Sequence, residues 1–152
     1  MAGTATDGKD VLMALYEATV RAAHPAFCLP AHLPPPPTRG RIVIVGAGKA
    51  AAAMALAAEE HYAALGALDR LTGFVTAPHG YAATLPKQPT AIEVASARHP
   101  TPDAGSVQAA ERTLRLAGEA GPGDLVLVLL SGGASALWAA PALGIDLEAK
   151  TA

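Results

Sequence analysis

The sequence predicts an α/β fold built on a parallel, doubly wound sheet. Apolar segments of strand length occur at residues 42–45, 71–77, 91–96 and 125–130. Segments with helical periodicity follow the first and third of them, at about 48–64 and 104–118, and Gly and Pro residues mark the breaks. Because such alternation forms right-handed β-α-β crossovers, the strands are expected to run parallel, with helices on both faces of the sheet.

Two features precede the first strand. Residues 10–23 have helical periodicity, which predicts an amphipathic helix that stops at Pro25; its apolar positions are Val11, Leu12, Leu15, Ala18 and Ala22. Residues 30–37 are rich in proline, with four in succession. We interpret this stretch as a packed polyproline connection between helix and sheet, in preference to a ligand for proline-binding modules.

The composition indicates one domain with its own core and excludes several partners. The 152 residues are 51% hydrophobic but only 4% aromatic, so the core is expected to rely on close approach of alanine-rich helices to the sheet. The net charge of -2 offers no basic surface for nucleic acid. The single cysteine, Cys28, is interpreted as a small buried hydrophobe, and no zinc-ligand spacing occurs, so no metal ligand is predicted.

No segment has the pattern of a signal peptide or a membrane span. The first ten residues are polar and mixed in charge. Residues 125–145 carry no charge, but Ser131 and the two glycines after it interrupt this stretch, and Pro141 and Gly144 break it again. We therefore expect no membrane partner and a cytoplasmic location.

The turn after the first strand is a candidate phosphate site. Gly46, Gly48 and Lys49 precede an alanine-rich helix, so backbone N–H groups, the helix N-terminus and a lysine in its first turn are expected to meet an anion. The spacing fits the dinucleotide fingerprint with Ala51 in the third glycine position, but no carboxylate ends the next strand to hold a ribose. It does not fit a Walker A loop. A tight structural turn with a solvated Lys49 remains equally open.

Polar clusters follow the other predicted strands. They lie at residues 79–81, 98–103 and 131–135. Because ligands of open parallel sheets bind beyond the carboxyl ends of the strands, one edge of the sheet is expected to gather the candidate chemistry.

Each cluster also has a structural alternative. Asp103 precedes the helix at 104–118 and could be its N-cap. His99 is held in extended backbone by Pro100, yet a lone histidine is commonly structural. The segment from Ser131 could form a nest of N–H groups for phosphate; the alternative of a serine nucleophile fails because Leu137 stands where that turn requires glycine.

Four motifs, taken in order and spacing, resemble a known family. They are VIVGAGKAAA at 43–52, HGY at 79–81, RHPTPDAG at 98–105 and LSGGASAL at 130–137. Together they resemble the N-terminal domain of the type II glycerate 2-kinases, whose C-terminal part is a separate, smaller domain called MOFRL. The resemblance implies a Rossmann-like fold and ATP-dependent phosphorylation of D-glycerate to 2-phosphoglycerate, with Mg²⁺, in a cleft between two domains.

The resemblance also implies roles for individual residues. Lys49 matches the family's GAGK lysine, which would stabilise charge on the transferring phosphoryl group. His99 and Asp103 would contact the substrate. The positions expected to bind the nucleotide are Gly46, Gly48, Ser131, Gly132, Gly133 and Ser135.

Two departures from the family pattern affect these expectations. Ala134 stands where the family has the third glycine of SGGGSAL, and a methyl group there would either oppose a positive φ angle or narrow the approach of the backbone to phosphate. The chain also stops at Ala152, so residues 1–152 are expected to form a truncated N-terminal domain, without its remainder, the C-terminal domain or a second cation. We expect this fragment to be inactive alone and to need the missing C-terminal portion or a partner chain.

Two other classes of function remain open. An NAD(P)-dependent hydroxypyruvate reductase is permitted by the Gly46 turn and disfavoured by the missing ribose carboxylate. A non-catalytic protein, either truncated or a subunit that depends on a partner, would expose apolar surface along its last strand.

Overall fold

A computed structural model describes residues 7–151 of the chain. Residues 1–6, which bear on the signal-peptide expectation, lie outside the described residues. Four parallel strands form one sheet in the order β3-β2-β1-β4. They are β1 (Ile42–Ala47), β2 (Leu71–Pro78), β3 (Ile92–Ala97) and β4 (Leu125–Leu130).

Helices connect β1 to β2 and β3 to β4, whereas only a 3₁₀ turn lies between β2 and β3. The helices are α1 (Gly8–Ala23), α2 (Pro25–Cys28), α3 (Ala51–Ala64), α4 (Ala104–Gly118), α5 (Ala134–Leu137) and α6 (Leu147–Thr151). Short 3₁₀ turns occur at Pro30–His32, Leu68–Arg70 and Ala82–Thr84. Within residues 7–151, no helix combines the length and apolar character that crossing a membrane requires.

Helices α3 and α4 cover opposite faces of the sheet. On β3, Ile92 packs in the apolar cluster formed with α3, whereas the next residue, Glu93, pairs with Arg112 of α4. Because successive strand residues point to opposite faces, the two helices lie on different sides. The α/β fold with a parallel, doubly wound sheet is therefore confirmed.

Small residues allow the layers to approach closely. Ala51, Ala55 and Ala58 of α3 are fully buried against the sheet. Within the sheet, a Cβ added to Gly73 would lie 2.5 Å from the carbonyl oxygen of Ile44. The alanine-rich core predicted from the low aromatic content is thus confirmed.

The proline-rich connection packs against the body, as predicted, although Pro30–His32 form a 3₁₀ turn and not polyproline backbone. The hydroxyl of Tyr62 donates to the carbonyl of Pro34 (3.0 Å), and Arg70 donates to the carbonyl of Pro37 (2.8 Å). These bonds tie the connection to α3 and to the start of β2, so it enters β1 along a fixed path.

Two local predictions are wrong. Helix α3 begins at Ala51 and not at residue 48, because the turn at Gly48 has a φ of 132° and keeps Lys49 out of the helix. Cys28 is exposed and not buried, since it ends the short helix α2, where its thiol lies 3.5 Å from the carbonyl of Ala23.

Two apolar surfaces remain uncovered. Helix α1, capped by Asp7, has no buried residue, although Leu12, Leu15 and Tyr16 form an apolar face. On the edge strand β4, Leu129 is buried, whereas Val128 and Leu130 are each 56% exposed. Helix α4 covers the face of the three other strands and leaves this part of β4 open.

Candidate functional site

The carboxyl ends of the strands meet at one edge of the sheet. Ala47 at the end of β1, Ala97 at the end of β3 and Leu137 of α5 form a fully buried apolar cluster. The polar segments that follow these strands are therefore neighbours in space. The sequence prediction that they gather at one edge is confirmed.

Gly46 lies inside β1, opposite Val75 and Leu129, and not in the turn as predicted. The backbone N–H groups of the turn that follows β1 are already paired within the protein. The N–H of Gly48 donates to the carbonyl of Thr76 (3.1 Å), and that of Lys49 donates to the carbonyl of Gly132 (2.9 Å). The N–H of Ala50 donates to the hydroxyl of Ser131 (2.9 Å). The prediction that these N–H groups bind an anion is wrong, because each already has an acceptor within the protein. The group of this turn that remains available to an anion is the ammonium group of Lys49.

Gly48 and Ser131 meet where the turn crosses the loop after β4. A Cβ added to Gly48 would overlap the hydroxyl of Ser131 and lie 2.5 Å from its carbonyl oxygen. The N–H of Ser131 donates in return to the carbonyl of Ala47 (3.1 Å). Glycine at position 48 is therefore required both by its positive φ angle and by this contact.

The side chain of Lys49 is free. The residue is exposed, and within residues 7–151 no carboxylate lies within ion-pair distance of its ammonium group. Its charge is thus unneutralised beside the loop at 131–135, which favours binding of an anion.

The loop after β4 has unpaired donors. The N–H groups of Gly132, Gly133, Ala134 and Ser135 have no acceptor in the part of the chain that the structure describes. Successive free N–H groups around a residue of positive φ can form an anion-binding nest, and Gly133 has a φ of 90°. Of the predicted positions, Ser131 is thus bound to Ala50, the N-cap residue of α3, whereas Gly132, Gly133 and Ser135 keep unpaired N–H groups.

Ala134 does not strain the loop. Positive φ angles among residues 7–151 occur only at glycines, so Ala134 has an ordinary backbone and begins helix α5. The conformation that demands glycine falls on Gly133, which the sequence retains. The expected conflict between the methyl group and a positive φ angle is therefore wrong.

His99 lies against the same loop. A Cβ added to Gly133 would lie 2.6 Å from Nε2 of His99, so the ring occupies the space next to this glycine. His99 is partly buried and follows the end of β3. The structure thus brings His99 and the loop at 131–135 together.

Asp103 caps helix α4. Its carboxylate accepts the backbone N–H of Ser106 (3.0 Å), and the Ser106 hydroxyl accepts the N–H of Asp103 (3.1 Å), which completes a capping box. Burial raises the pKa of Asp103, but hydrogen bonds from the Ser106 and Arg98 backbones, the Ser106 hydroxyl and the charge of His79 outweigh it and lower the pKa. The structural alternative for Asp103 is confirmed, and its role as a substrate ligand stays a prediction.

Two residues of this edge, Thr76 and Trp138, were not predicted from the sequence. Thr76 is fully buried near the end of β2, where its carbonyl binds the Gly48 N–H and its hydroxyl accepts from Nε1 of Trp138 (3.3 Å). A hydroxyl residue inside an apolar strand was the available signal. Beside the loop, a cavity of about 320 Å³ is lined by Thr101, Ser135 and Lys150, among others.

Comparison with known families and structures identifies the chain. The family model described as "Domain of unknown function (DUF4147)" matches residues 11–152. The chain belongs to this family. A protein of Agrobacterium vitis named "Putative hydroxypyruvate reductase" is 40% identical over 144 residues, which cover 95% of this chain and 31% of that protein.

This member of the DUF4147 family is also similar to proteins named as kinases. The glycerate 2-kinase of Pyrococcus horikoshii is 36% identical over 110 residues, covering 72% of this chain and 23% of the kinase. The crystal structure of glycerate kinase from Thermotoga maritima has a TM-score of 0.72 at 31% identity, covering 92% of this chain and 32% of that chain. The resemblance to the N-terminal domain of glycerate 2-kinases is confirmed. The chain spans about a third or less of the length of these relatives.

Proposed function

We propose that this domain supplies the phosphate-binding half of an ATP-dependent glycerate 2-kinase. The observation that supports this most is the free ammonium group of Lys49, whose backbone is held beside the unpaired N–H groups that follow Ser131. Phosphoryl transfer depends on positioning and on cations aimed at the phosphoryl oxygens. Lys49 would supply that cation.

The other predicted residues divide between binding and support. In this proposal the N–H groups of Gly132 and Gly133, with the Ser135 hydroxyl, bind phosphate oxygens. Gly46 acts by allowing close approach of β4, since an added Cβ would lie 2.6 Å from the carbonyl oxygen of Leu129, and Gly48 acts by allowing close approach of the turn to Ser131. His99 and Asp103 face the hydroxyacid substrate, D-glycerate, and Asp103 does so while it caps α4.

ATP and Mg²⁺ are compatible with this set of groups. A free ammonium group beside N–H donors suits a polyphosphate. Within residues 7–151, no cluster of three His, Cys, Asp or Glu side chains could hold a metal ion. Mg²⁺ is commonly bound through substrate phosphates and water, which requires few protein carboxylates.

Catalysis in this proposal requires more polypeptide than the 152 residues. The relatives are about three times as long as this chain. A cleft between two domains would also need the second domain. The uncovered apolar side chains of β4 support a further contact there. We propose that residues 1–152 alone have little kinase activity and need a C-terminal portion or a partner chain.

The name of the Agrobacterium relative favours a second candidate, an NAD(P)-dependent hydroxypyruvate reductase. The residues at the end of β2 argue against a reductase, because Pro78 and His79 stand where a dinucleotide site requires an acidic residue for the ribose. The N–H groups of Gly48 and Lys49 are also already bonded, which removes donors that such a site directs at the pyrophosphate.

The test is ADP release from ATP with and without D-glycerate, for residues 1–152 and for the same residues fused to the remaining sequence of the Thermotoga maritima relative. Glycerate-dependent release by the fusion alone would support the kinase and the need for a second half. Oxidation of NADH by hydroxypyruvate, without ADP release, would favour the reductase. Activity of residues 1–152 alone would refute the proposed need for more chain.

A further inference from the structure

We propose that Ser131 is a positioning residue whose hydroxyl, at the end of the neighbouring strand β4, binds the N–H of the N-cap residue of helix α3 and thereby fixes Lys49. This inference rests on the proposed function for the role of Lys49, but its structural part does not. It replaces the predicted role of Ser131 as a nucleotide ligand with a different one, and it leaves Ser135 as the hydroxyl that faces an anion.

Helix α3 lacks a cap of its own. Its N-cap residue is Ala50, which has no side-chain oxygen. In a capping box the side chain at the third helical position accepts the N–H of the N-cap residue, but that position in α3 is Ala53. Here the Ser131 hydroxyl, 81 positions later in the chain, accepts the Ala50 N–H at 2.9 Å.

The same loop also binds two residues that precede Ala50. The N–H of Ser131 donates to Ala47 (3.1 Å), and the carbonyl of Gly132 accepts the Lys49 N–H (2.9 Å). The three bonds join β1, the turn and the loop after β4 into one unit. The backbone of Lys49 is therefore fixed on both sides, whereas its side chain remains free.

The two serines of the loop differ in their surroundings. Ser131 is partly buried and its hydroxyl already accepts a bond, which reduces its capacity to contact a ligand. Ser135 is exposed, and its hydroxyl has no hydrogen-bond partner in the described part of the chain. A variant at each position thus separates positioning from direct contact.

The test compares amide hydrogen exchange by NMR in wild-type protein, Ser131→Ala, Ser131→Thr and Ser135→Ala. In Ser131→Ala we expect the Ala50 amide to exchange about tenfold faster relative to the Ala58 amide, because its acceptor is lost. The Lys49 amide should also exchange faster, although its own acceptor is Gly132. Ser131→Thr keeps the hydroxyl and should restore both rates, and Ser135→Ala should change neither.

Ser106→Ala is the matched control for loss of a helix cap. It removes the hydroxyl of the α4 capping box and should leave the Lys49 and Ala50 amides unchanged after correction for global stability. If Ser131→Ala does not fold, Ser131→Cys retains a weak acceptor and should give exchange several-fold faster than wild type. Unchanged Ala50 exchange, or faster Ala50 exchange with unchanged Lys49 exchange, would overturn the proposal.

A second readout connects the cap to anion binding. The 13Cε signal of Lys49 is followed during titration with tripolyphosphate, and Ser131→Ala should weaken the apparent affinity about tenfold, with recovery in Ser131→Thr. If wild-type protein binds no tripolyphosphate, the proposed function fails while the exchange data still decide the cap. If it binds and Ser131→Ala binds equally well, the positioning role is overturned.

Discussion

Gly48 lies where the turn after β1 meets the loop after β4, and both its φ angle and its lack of a side chain matter there. Gly48→Ala should lower the free energy of unfolding by about 2 to 4 kcal/mol, from backbone strain together with overlap with Ser131. Gly66→Ala is the control, because Gly66 has a φ of 68° but nothing within 4 Å of an added Cβ. Its cost should be about 1 kcal/mol.

Urea unfolding of both variants measures the difference. A loss for Gly48→Ala that only equals the loss for Gly66→Ala would mean that contact with Ser131 contributes nothing. The close packing inferred between the turn and the loop would then be incorrect.

At the scale of elements, Glu59 of α3 holds the start of β3. This buried carboxylate accepts the backbone N–H groups of Thr90, Ala91 and Ile92, at distances from 2.8 to 3.3 Å, and the Thr90 hydroxyl. Hydrogen bonds to a charged group stabilise more than neutral ones, and loss of the acceptor leaves donors without a partner.

Glu59→Ala should therefore lower the free energy of unfolding by about 3 kcal/mol. The neighbouring Glu60→Ala is the matched control, since its ion pair with Lys87 (2.8 Å) is exposed and should be worth less than about 1 kcal/mol. Thermal or urea unfolding measures both variants. Similar losses in the two would refute the anchoring role of Glu59.

Asp124 joins the starts of β1 and β4 in a way that depends on pH. The Arg41 and Gly121 backbone N–H groups, with the Arg41 side chain, lower the pKa of Asp124 to about 2 against a modest opposing effect of burial. A lowered pKa stabilises the fold above the unfolded value, about 3.9, and that contribution is lost as pH falls toward 2.

The free energy of unfolding of wild-type protein should thus fall more steeply than that of Asp124→Asn between about pH 4 and pH 2. Urea unfolding at a series of pH values gives both slopes. Parallel curves would show that the hydrogen bonds from Arg41 and Gly121 contribute no charge-dependent stability.

At the scale of the whole molecule, the periodicity of the sequence predicts the fold better than it predicts the hydrogen bonds within the site. The continuous apolar run at 125–130 and the alternation of elements led to the parallel sheet, because burial on both faces leaves a strong signal. Asp103 was recognisable as a cap, since its contact with Ser106 is local in sequence.

The contacts that set the roles of individual residues were not predictable from local pattern. The bond between Ala50 and Ser131 spans 81 positions, and that between Thr76 and Trp138 spans 62. Such pairs arise only when the sheet brings strand ends together. Because local sequence does not reveal them, the N–H groups of the glycine turn were predicted to be free to bind an anion. Exposure of Cys28 likewise depends on how α2 packs.

The central claim is that Lys49 stabilises a phosphoryl group during transfer, and its most direct test is the turnover of Lys49→Met in the fused, full-length protein described above. The kcat for glycerate-dependent ADP release should fall on the order of 10³-fold with the fold intact by circular dichroism. Lys9→Met, a distant exposed lysine of α1, should stay within about twofold of wild type. Wild-type turnover in Lys49→Met would contradict the account.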